Sequence, residues 1–279
     1  MQLIGHRGAR GLFAENTLEG FRRTLDLGVD GIEIDVAITA DGLAVVTHDP
    51  ALNPDITRLN GEWLASRGPL VQTLRAEQLA EFDIGRIRPG SGYAALYPDQ
   101  NPIDGARIPS LADTLALQTR FTVELKTIAT QPQWTIAPQA MAEAVARVAD
   151  QAGAASRIIV QSFDWRGPRH LRRLRPDLIY AWLTSEKTVA DARLWWDGPS
   201  PDDFAGSVPR AVAAEGGSIW SPAFAGVTAD LVAEAQSLGL MVIPWTVNRP
   251  ADMRRLIGWG VDGLITDRPD IGRRVLGER

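Results

Sequence analysis

The chain has 279 residues, 45% of them hydrophobic and 23% charged, with a formal net charge of -5, a sequence pI of about 5.3 and no cysteine. That length and apolar share allow a large core within one domain, and the missing cysteines exclude disulfides, thiolate metal sites and a cysteine nucleophile. An acidic chain without a basic stripe is a poor fit to nucleic acid; its densest basic run, residues 169–175, reads as a solvated helix face, with His170 a surface residue.

The N-terminal residues 1–8 have neither the basic region nor the apolar run of a secretory signal, and no stretch approaches the roughly 18 apolar residues of a membrane span. Were Met1 the native start, a cytoplasmic protein is expected. The first strand falls at 3–5, and the first helix at 17–27, with Leu18, Phe21 and Leu25 on one face, Asn16 or Thr17 as cap and Gly28 as stop. Strands follow at 31–36 and 44–47, separated by the turn signal Ala40-Asp41-Gly42 with no room for a helix.

Residues 50–109 differ in kind. They are rich in Gly, Pro, Asn and Asp, contain Trp63, Phe82, Tyr93 and Tyr97, and carry helical periodicity only over 75–82. This stretch reads as an inserted, loop-rich lid or subdomain at one end of the fold. Beyond it, strands at 121–125, 157–162, 179–183, 218–221, 241–246 and 263–266 alternate with helices that include 138–152, 228–238 and 251–259, and 197–207 reads as a long surface connection.

The junction Gly28-Val29-Asp30-Gly31-Ile32 recurs as Gly260-Val261-Asp262-Gly263-Leu264, a helix-ending glycine followed by a short turn into a strand. Repeated junctions of this kind imply βαβ units and a parallel sheet. The expected architecture is α/β, a TIM-type (β/α)8 barrel made of residues 1–49 and 110–279, with 50–109 capping its mouth. The strand candidates exceed eight by one; either 31–48 contains a hairpin or one candidate is not a barrel strand.

Chemistry concentrates at strand ends, where barrel side chains point into the mouth. His6 and His48 end two strands, each beside a charged residue. Glu33 and Asp35 lie two apart on an apolar strand, so period-two alternation sends both to one face, opposite Ile32, Ile34 and Val36. Two carboxylates in one interior repel and lose hydration, and need either basic partners or a divalent cation with oxygen ligands. Glu124 and Lys126 repeat the spacing, as an ion pair or as a third carboxylate beside a cation. Three carboxylates, a lysine and two histidines suit phosphoryl transfer better than acyl transfer.

The ordered set Gly5-His6-Arg7-Gly8, Glu15-Asn16-Thr17, Glu33-Ile34-Asp35-Val36, Thr39-Ala40-Asp41-Gly42 and His48-Asp49, then Glu124-Leu125-Lys126, Gln161-Ser162-Phe163-Asp164, Trp245-Thr246-Val247-Asn248 and 262–269, resembles the glycerophosphodiester phosphodiesterases. That resemblance runs from residue 4 to residue 269. It implies a phospholipase-C-like barrel and metal-dependent hydrolysis of glycerophosphodiesters to glycerol 3-phosphate and an alcohol. It also implies His6 and His48 in acid–base catalysis, with a lean towards His6 as base and His48 as acid. Glu33, Asp35 and Glu124 would hold one Mg2+ or Ca2+ ion, Arg7 and Lys126 would meet the phosphate, and Trp245 would stand in the pocket wall. Where the family usually has proline before Glu-Asn-Thr, this chain has Ala14, which implies a small change in the loop into the first helix. Alternatives are a sugar isomerase or metallo-hydrolase on the same barrel, a lysolipid-active relative, and a non-catalytic binder of phosphorylated ligands; the partner expected is a small soluble diester.

Overall fold

A computed structural model describes residues 1–277. Its strands, in chain order, are β1 (Gln2–His6), β2 (Gly31–Ile38), β3 (Ala44–Val46), β4 (Arg58–Leu59), β5 (Glu62–Trp63), β6 (Phe82–Asp83), β7 (Phe121–Leu125), β8 (Ile158–Ser162), β9 (Ile179–Thr184), β10 (Ile219–Pro222), β11 (Met241–Val242) and β12 (Gly263–Thr266). Eight of them form a parallel sheet in the order β11-β10-β9-β8-β7-β2-β1-β12. The two ends meet through backbone hydrogen bonds from Asp262 to Val242 (2.9 Å), Ile265 to Pro244 (3.0 Å) and Val247 to Ile265 (2.9 Å). The result is a TIM-type barrel surrounded by helices.

The surplus strand is a hairpin arm. β3 pairs antiparallel with β2, Val36 opposite Val46 and Ile38 opposite Ala44. The turn between them is tied by the Thr39 hydroxyl, which donates to Asp41 (2.6 Å) and accepts from the Leu43 amide (2.9 Å), while Gly42 sits at φ +85°. Leucine-, isoleucine- and valine-rich strands are buried on both faces, as parallel barrels require. On the outer face Ile32, Ile34, Val36, Phe121 and Val123 pack against Phe21, Met141 and Val145 from the helices Leu18–Asp26 and Pro138–Gln151. Thr17, not Asn16, caps the first of these helices, accepting from the Gly20 amide at 3.1 Å. Inside the barrel Ile4, Ala181, Ile219, Ile243 and Ile265 form a separate apolar layer.

Two expected elements are shorter than the sequence implied. The strand expected over 241–246 is regular only at Met241–Val242, because Pro244 has no amide to donate; Ile243 and Trp245 still donate to Trp220 and Pro222, at 3.0 Å each. The helix expected over 75–82 is confined to Ala76–Leu79, after which Phe82–Asp83 joins a small antiparallel sheet in the order β5-β4-β6. Asn60 and Gly61, both at positive φ, make the tight β4–β5 turn. Leu52, Val71, Leu79 and Phe82 pack with Ala37 and Val45 of the hairpin, so this stretch has a small core continuous with the barrel. Arg58 anchors it by ion pairs to Asp83 (2.5 Å) and Asp104 (2.6 Å).

Candidate active site

Strand register assembles the acidic cluster. β1 sets His6 beside Glu33, β7 sets Glu124 beside Asp35, and β8 sets Gln161 beside Glu124. In parallel strands paired residues share a face, so all five side chains converge at the end of the barrel. Glu33, Asp35 and Glu124 are buried, and each offers a carboxylate oxygen within 4.8 Å of the other two.

The cluster is held by a ring of donors. Lys126 Nζ lies 2.8 Å from Glu124 and 3.5 Å from Asp35. Arg7, in a left-handed conformation at φ +52°, donates its amide to Glu33 (3.1 Å) while its guanidinium lies 3.4 Å from Asp35 and 2.9 Å from Glu15. Asn16 donates to Asp35 at 3.0 Å and Gln161 to Glu33 at 3.3 Å. Burial, with the neighbouring charges of Asp35 and Glu124, pushes the Glu33 carboxyl well above the usual carboxylate range. Burial also raises Glu124, against the pull of Lys126. Asp35 moves the other way: His48, Arg7, Lys126 and His6 overcome its burial and hold it far below the usual range.

A divalent cation fits this set. All available ligands are oxygens, which suits Mg2+ or Ca2+. Gln161 Oε1 is a buried acceptor without a hydrogen-bond partner, and Asp35 Oδ1 makes no hydrogen bond and has only the Lys126 ammonium 3.5 Å away, the condition expected of atoms arranged for something more than a protein donor. Among the described residues no other group of three such side chains has this geometry.

His6 is buried at the edge of the cluster. Its Nδ1 lies 2.7 Å from Asp267 Oδ1 and its Nε2 3.8 Å from Glu33. Asp267 is fixed in turn by Arg10 Nε (3.0 Å) and by the Asn248 amide side chain (2.7 Å). Burial, helped by Arg10 and Arg7, lowers the proton affinity of His6, and Asp267 opposes that shift. His48 follows β3, with Nδ1 2.8 Å from Asp49, whose other oxygen accepts from Asn53 at 2.8 Å. Burial first, then Arg7 and Lys126, push the His48 imidazole down to about 4, against Asp35 and Asp49. Each ring is thus oriented by a carboxylate, and burial lowers the proton affinity of both.

Two cavities open from this cluster. One, of about 310 Å³, is walled by His6, Arg10, Gln161, Phe163, Leu183 and Trp245; the other, of about 680 Å³, by Asp49, Arg67, Thr127, Trp134 and Trp195. His48, Glu124, Lys126 and Phe163 line both. Trp245 is half-buried, donates to the Ser221 carbonyl at 3.0 Å and meets the Phe163 ring edge-on at 5.3 Å. His170, by contrast, sits outside on the helix Arg166–Leu174 with Glu143 at 2.7 Å. Ala14, at the departure from the expected motif, is buried, and its carbonyl accepts from Thr17 Oγ1 at 2.8 Å, so the loop still leads into a capped helix.

All eight residues singled out from sequence meet around this one cluster. Asp267, Asn248, Arg10, Glu15 and Tyr93 also belong to its surroundings and had no assigned role. Asp267, Asn248 and Glu15 stood in motifs that gave position without function. Arg10 and Tyr93 had no signal: Tyr93 comes from the loop-rich stretch, and its hydroxyl donates to Glu15 and accepts from Arg10 at 3.2 Å.

The model of the glycerophosphoryl diester phosphodiesterase family matches residues 6–271. The chain belongs to that family. A glycerophosphodiester phosphodiesterase from Caldanaerobacter subterraneus is 29% identical to it over 96% of this chain and 94% of its own. Among solved structures, a Silicibacter pomeroyi protein assigned as a glycerophosphoryl diester phosphodiesterase shares 37% identity, with a TM-score of 0.91 over 100% of this chain and 93% of that one. An Oleispira antarctica phosphodiesterase, solved with its product sn-glycerol-3-phosphate, has the same fold at 20% identity, with a TM-score of 0.74 over 99% of this chain and 97% of that one. No helix among the described residues is long and apolar enough to cross a membrane.

Proposed function

We propose that this family member hydrolyses glycerophosphodiesters to glycerol 3-phosphate and an alcohol, with His6 and His48 moving the protons. The observation that carries the reading is the junction of three buried carboxylates, two carboxylate-oriented imidazoles and two cations at the meeting point of two cavities. Glu33, Asp35 and Glu124 would hold one divalent cation, Mg2+ or Ca2+, which supplies Lewis-acid polarisation of the phosphoryl group when bound.

The chain's own groups do the rest. Arg7 and Lys126 take up negative charge on the phosphoryl oxygens. His6 accepts the proton of the attacking hydroxyl, either from water or from the glycerol to give a cyclic phosphate that water then opens, and Asp267 stabilises the imidazolium so formed. His48 lines both cavities and so stands beside either ester arm. Its ring is held by Asp49, which places it to give the departing alcohol its proton. Trp245 and Phe163 exclude water and contact the glycerol or the alcohol part. Residues 50–109 act as a cap over this mouth, to which Asn53, Arg67 and Tyr93 contribute.

The test is turnover of a panel of glycerophosphodiesters with Mg2+, Ca2+ or EDTA, on wild type and His48→Ala. Metal-dependent release of glycerol 3-phosphate, lost with EDTA and lowered at least about a hundredfold in the variant, is the expected result. Binding without turnover under saturating metal would mark a binder instead, and preference for lysolipid a lipid-active relative.

A further inference from the structure

Two arginines of like charge stand close together in the wall of the smaller cavity. Arg7 and Arg10 are both buried, and both line it. Arg7 faces the acidic cluster, with Asp35 at 3.4 Å. Arg10 turns to the support of His6, with Nε 3.0 Å from Asp267 Oδ1 and a terminal nitrogen 3.3 Å from Asp267 Oδ2. The two guanidinium charges repel, so holding both in place needs an anchor shared between them.

Glu15 and Tyr93 supply that anchor from behind the wall. Glu15 Oε1 accepts from Arg7 at 2.9 Å, and its other oxygen accepts from the Tyr93 hydroxyl. The same hydroxyl accepts from Arg10 at 3.2 Å. Burial and the charge of Glu15 raise the Tyr93 hydroxyl far above its usual value, so it keeps its proton and remains a donor to the carboxylate. A phenol that donates to an anion becomes a better acceptor, so the bond from Arg10 and the bond to Glu15 reinforce each other. Neither Glu15 nor Tyr93 lines either cavity.

Tyr93 is placed by the cap and not by the barrel. It lies on the short helix Gly92–Leu96, begun by Ser91, whose hydroxyl accepts from the Ala94 amide at 3.1 Å. The residues that follow are fastened to the loop that carries Arg10. Gln100 Nε2 donates to the Arg10 carbonyl at 2.8 Å, and the Asn101 amide donates to the Leu12 carbonyl at 2.7 Å. The hydroxyl thus closes an unbroken path of side chains from Arg7 through Glu15, Tyr93, Arg10 and Asp267 to His6. In the reading above, one end of that path meets the phosphoryl oxygens and the other takes the proton.

We infer that Tyr93 is a positioning residue for the phosphodiesterase reaction, fixing Arg7 and the His6–Asp267 pair in one arrangement through a hydroxyl that touches no substrate. Without that hydroxyl Arg10 loses an acceptor and Glu15 loses a donor, while the ring and its packing stay. This inference rests on the phosphodiesterase reading above and deepens it.

The experiment measures kcat and KM for a panel of glycerophosphodiesters with added Mg2+ or Ca2+, together with the affinity for inorganic phosphate, in wild type and Tyr93→Phe. The variant is expected to lose about tenfold in kcat/KM, by a lower kcat from the His6 end and a higher KM from the Arg7 end, because small misplacements of positioned groups are costly. Phosphate should bind several-fold more weakly, and the melting temperature should change little. Added to Asp267→Asn, Tyr93→Phe should lower kcat by less than it does alone; added to Glu15→Gln, it should raise KM by less. Arg86→Ala loosens the same stretch elsewhere, by removing the ion pair to Asp104 at 2.6 Å, and should keep wild-type kcat and KM. Wild-type kinetics and phosphate affinity in Tyr93→Phe, full effects in both double variants, or an equal loss in Arg86→Ala would overturn the inference and leave the phosphodiesterase reading intact. Absence of turnover for every diester by wild type with added metal would take both down.

Discussion

The floor and the mouth of the barrel are built from the same strands, two residues apart. Ile4 precedes His6, Ile159 precedes Gln161, Ile243 precedes Trp245 and Ile265 precedes Asp267, each pair on one inward face. The lower layer is apolar and closes on itself. The upper layer, one step along, holds buried charge, orphaned acceptors and imidazoles whose proton affinity burial lowers. One side-chain layer thus separates residues that stabilise the barrel from residues that strain it, and substitutions in the two layers should have opposite signatures.

The largest effect belongs to the mouth. His6→Ala should lower kcat at least about a hundredfold with little change in melting temperature; near-normal turnover would remove its role. Asp267→Asn keeps the shape of the partner and should lower kcat about tenfold or more with KM nearly unchanged, because it orients the ring and does not touch substrate. A KM effect alone would place Asp267 on the substrate instead.

Glu33 sharpens the contrast in stability. Its folded pKa is raised, so the folded state binds its proton more tightly than the unfolded state does. Above the unfolded value near 4.5, metal-free protein should therefore lose stability as pH rises through the raised folded pKa. Glu33→Gln should flatten that loss and raise the metal-free melting temperature while abolishing metal-dependent activity. Added Mg2+ or Ca2+ should stabilise wild type but not the variant. An unchanged pH profile in Glu33→Gln would show that the repulsion is relieved elsewhere.

The floor should behave conversely. Ile219→Ala, in the apolar layer but not on the wall of the site cavity, is expected to destabilise by about 2–5 kcal/mol, with kcat per folded molecule retained. Trp245→Ala lies between the layers and should raise KM roughly tenfold with a smaller loss of stability; the reverse split would assign it to the floor. Smallest of all, His170→Ala, on the outer helices, should shift stability by no more than about 0.5 kcal/mol and leave activity alone.

Much of the mouth was legible because its pattern is local. Glu33 with Asp35, and Glu124 with Lys126, declare a shared face by spacing alone, and strand ends place them at the opening. The hairpin at 39–43 was ambiguous for a physical reason: an apolar run looks the same whether its strand runs parallel or antiparallel to its neighbour. Pro244 was visible, but how far one missing amide would shorten a strand depends on neighbours that the sequence does not give. Least legible were the supports of His6. Asp267 and Arg10 lie 257 residues apart and meet only because the last strand closes onto the first. Tyr93 reaches Glu15 from Gly92–Leu96, a five-residue helix capped by Ser91 that is too short to show its periodicity in the sequence.

Arg10 carries two duties through a single planar group. One part of it grips Asp267 and so steadies the His6 ring; the rest accompanies Tyr93 and lies 4.6 Å over the Tyr97 ring, both on the segment above the mouth. A change in Tyr93 or Tyr97 therefore reaches the imidazole without touching it. Swapping this segment between relatives to transplant headgroup preference would also detune proton transfer, unless the two tyrosines travel with their arginine.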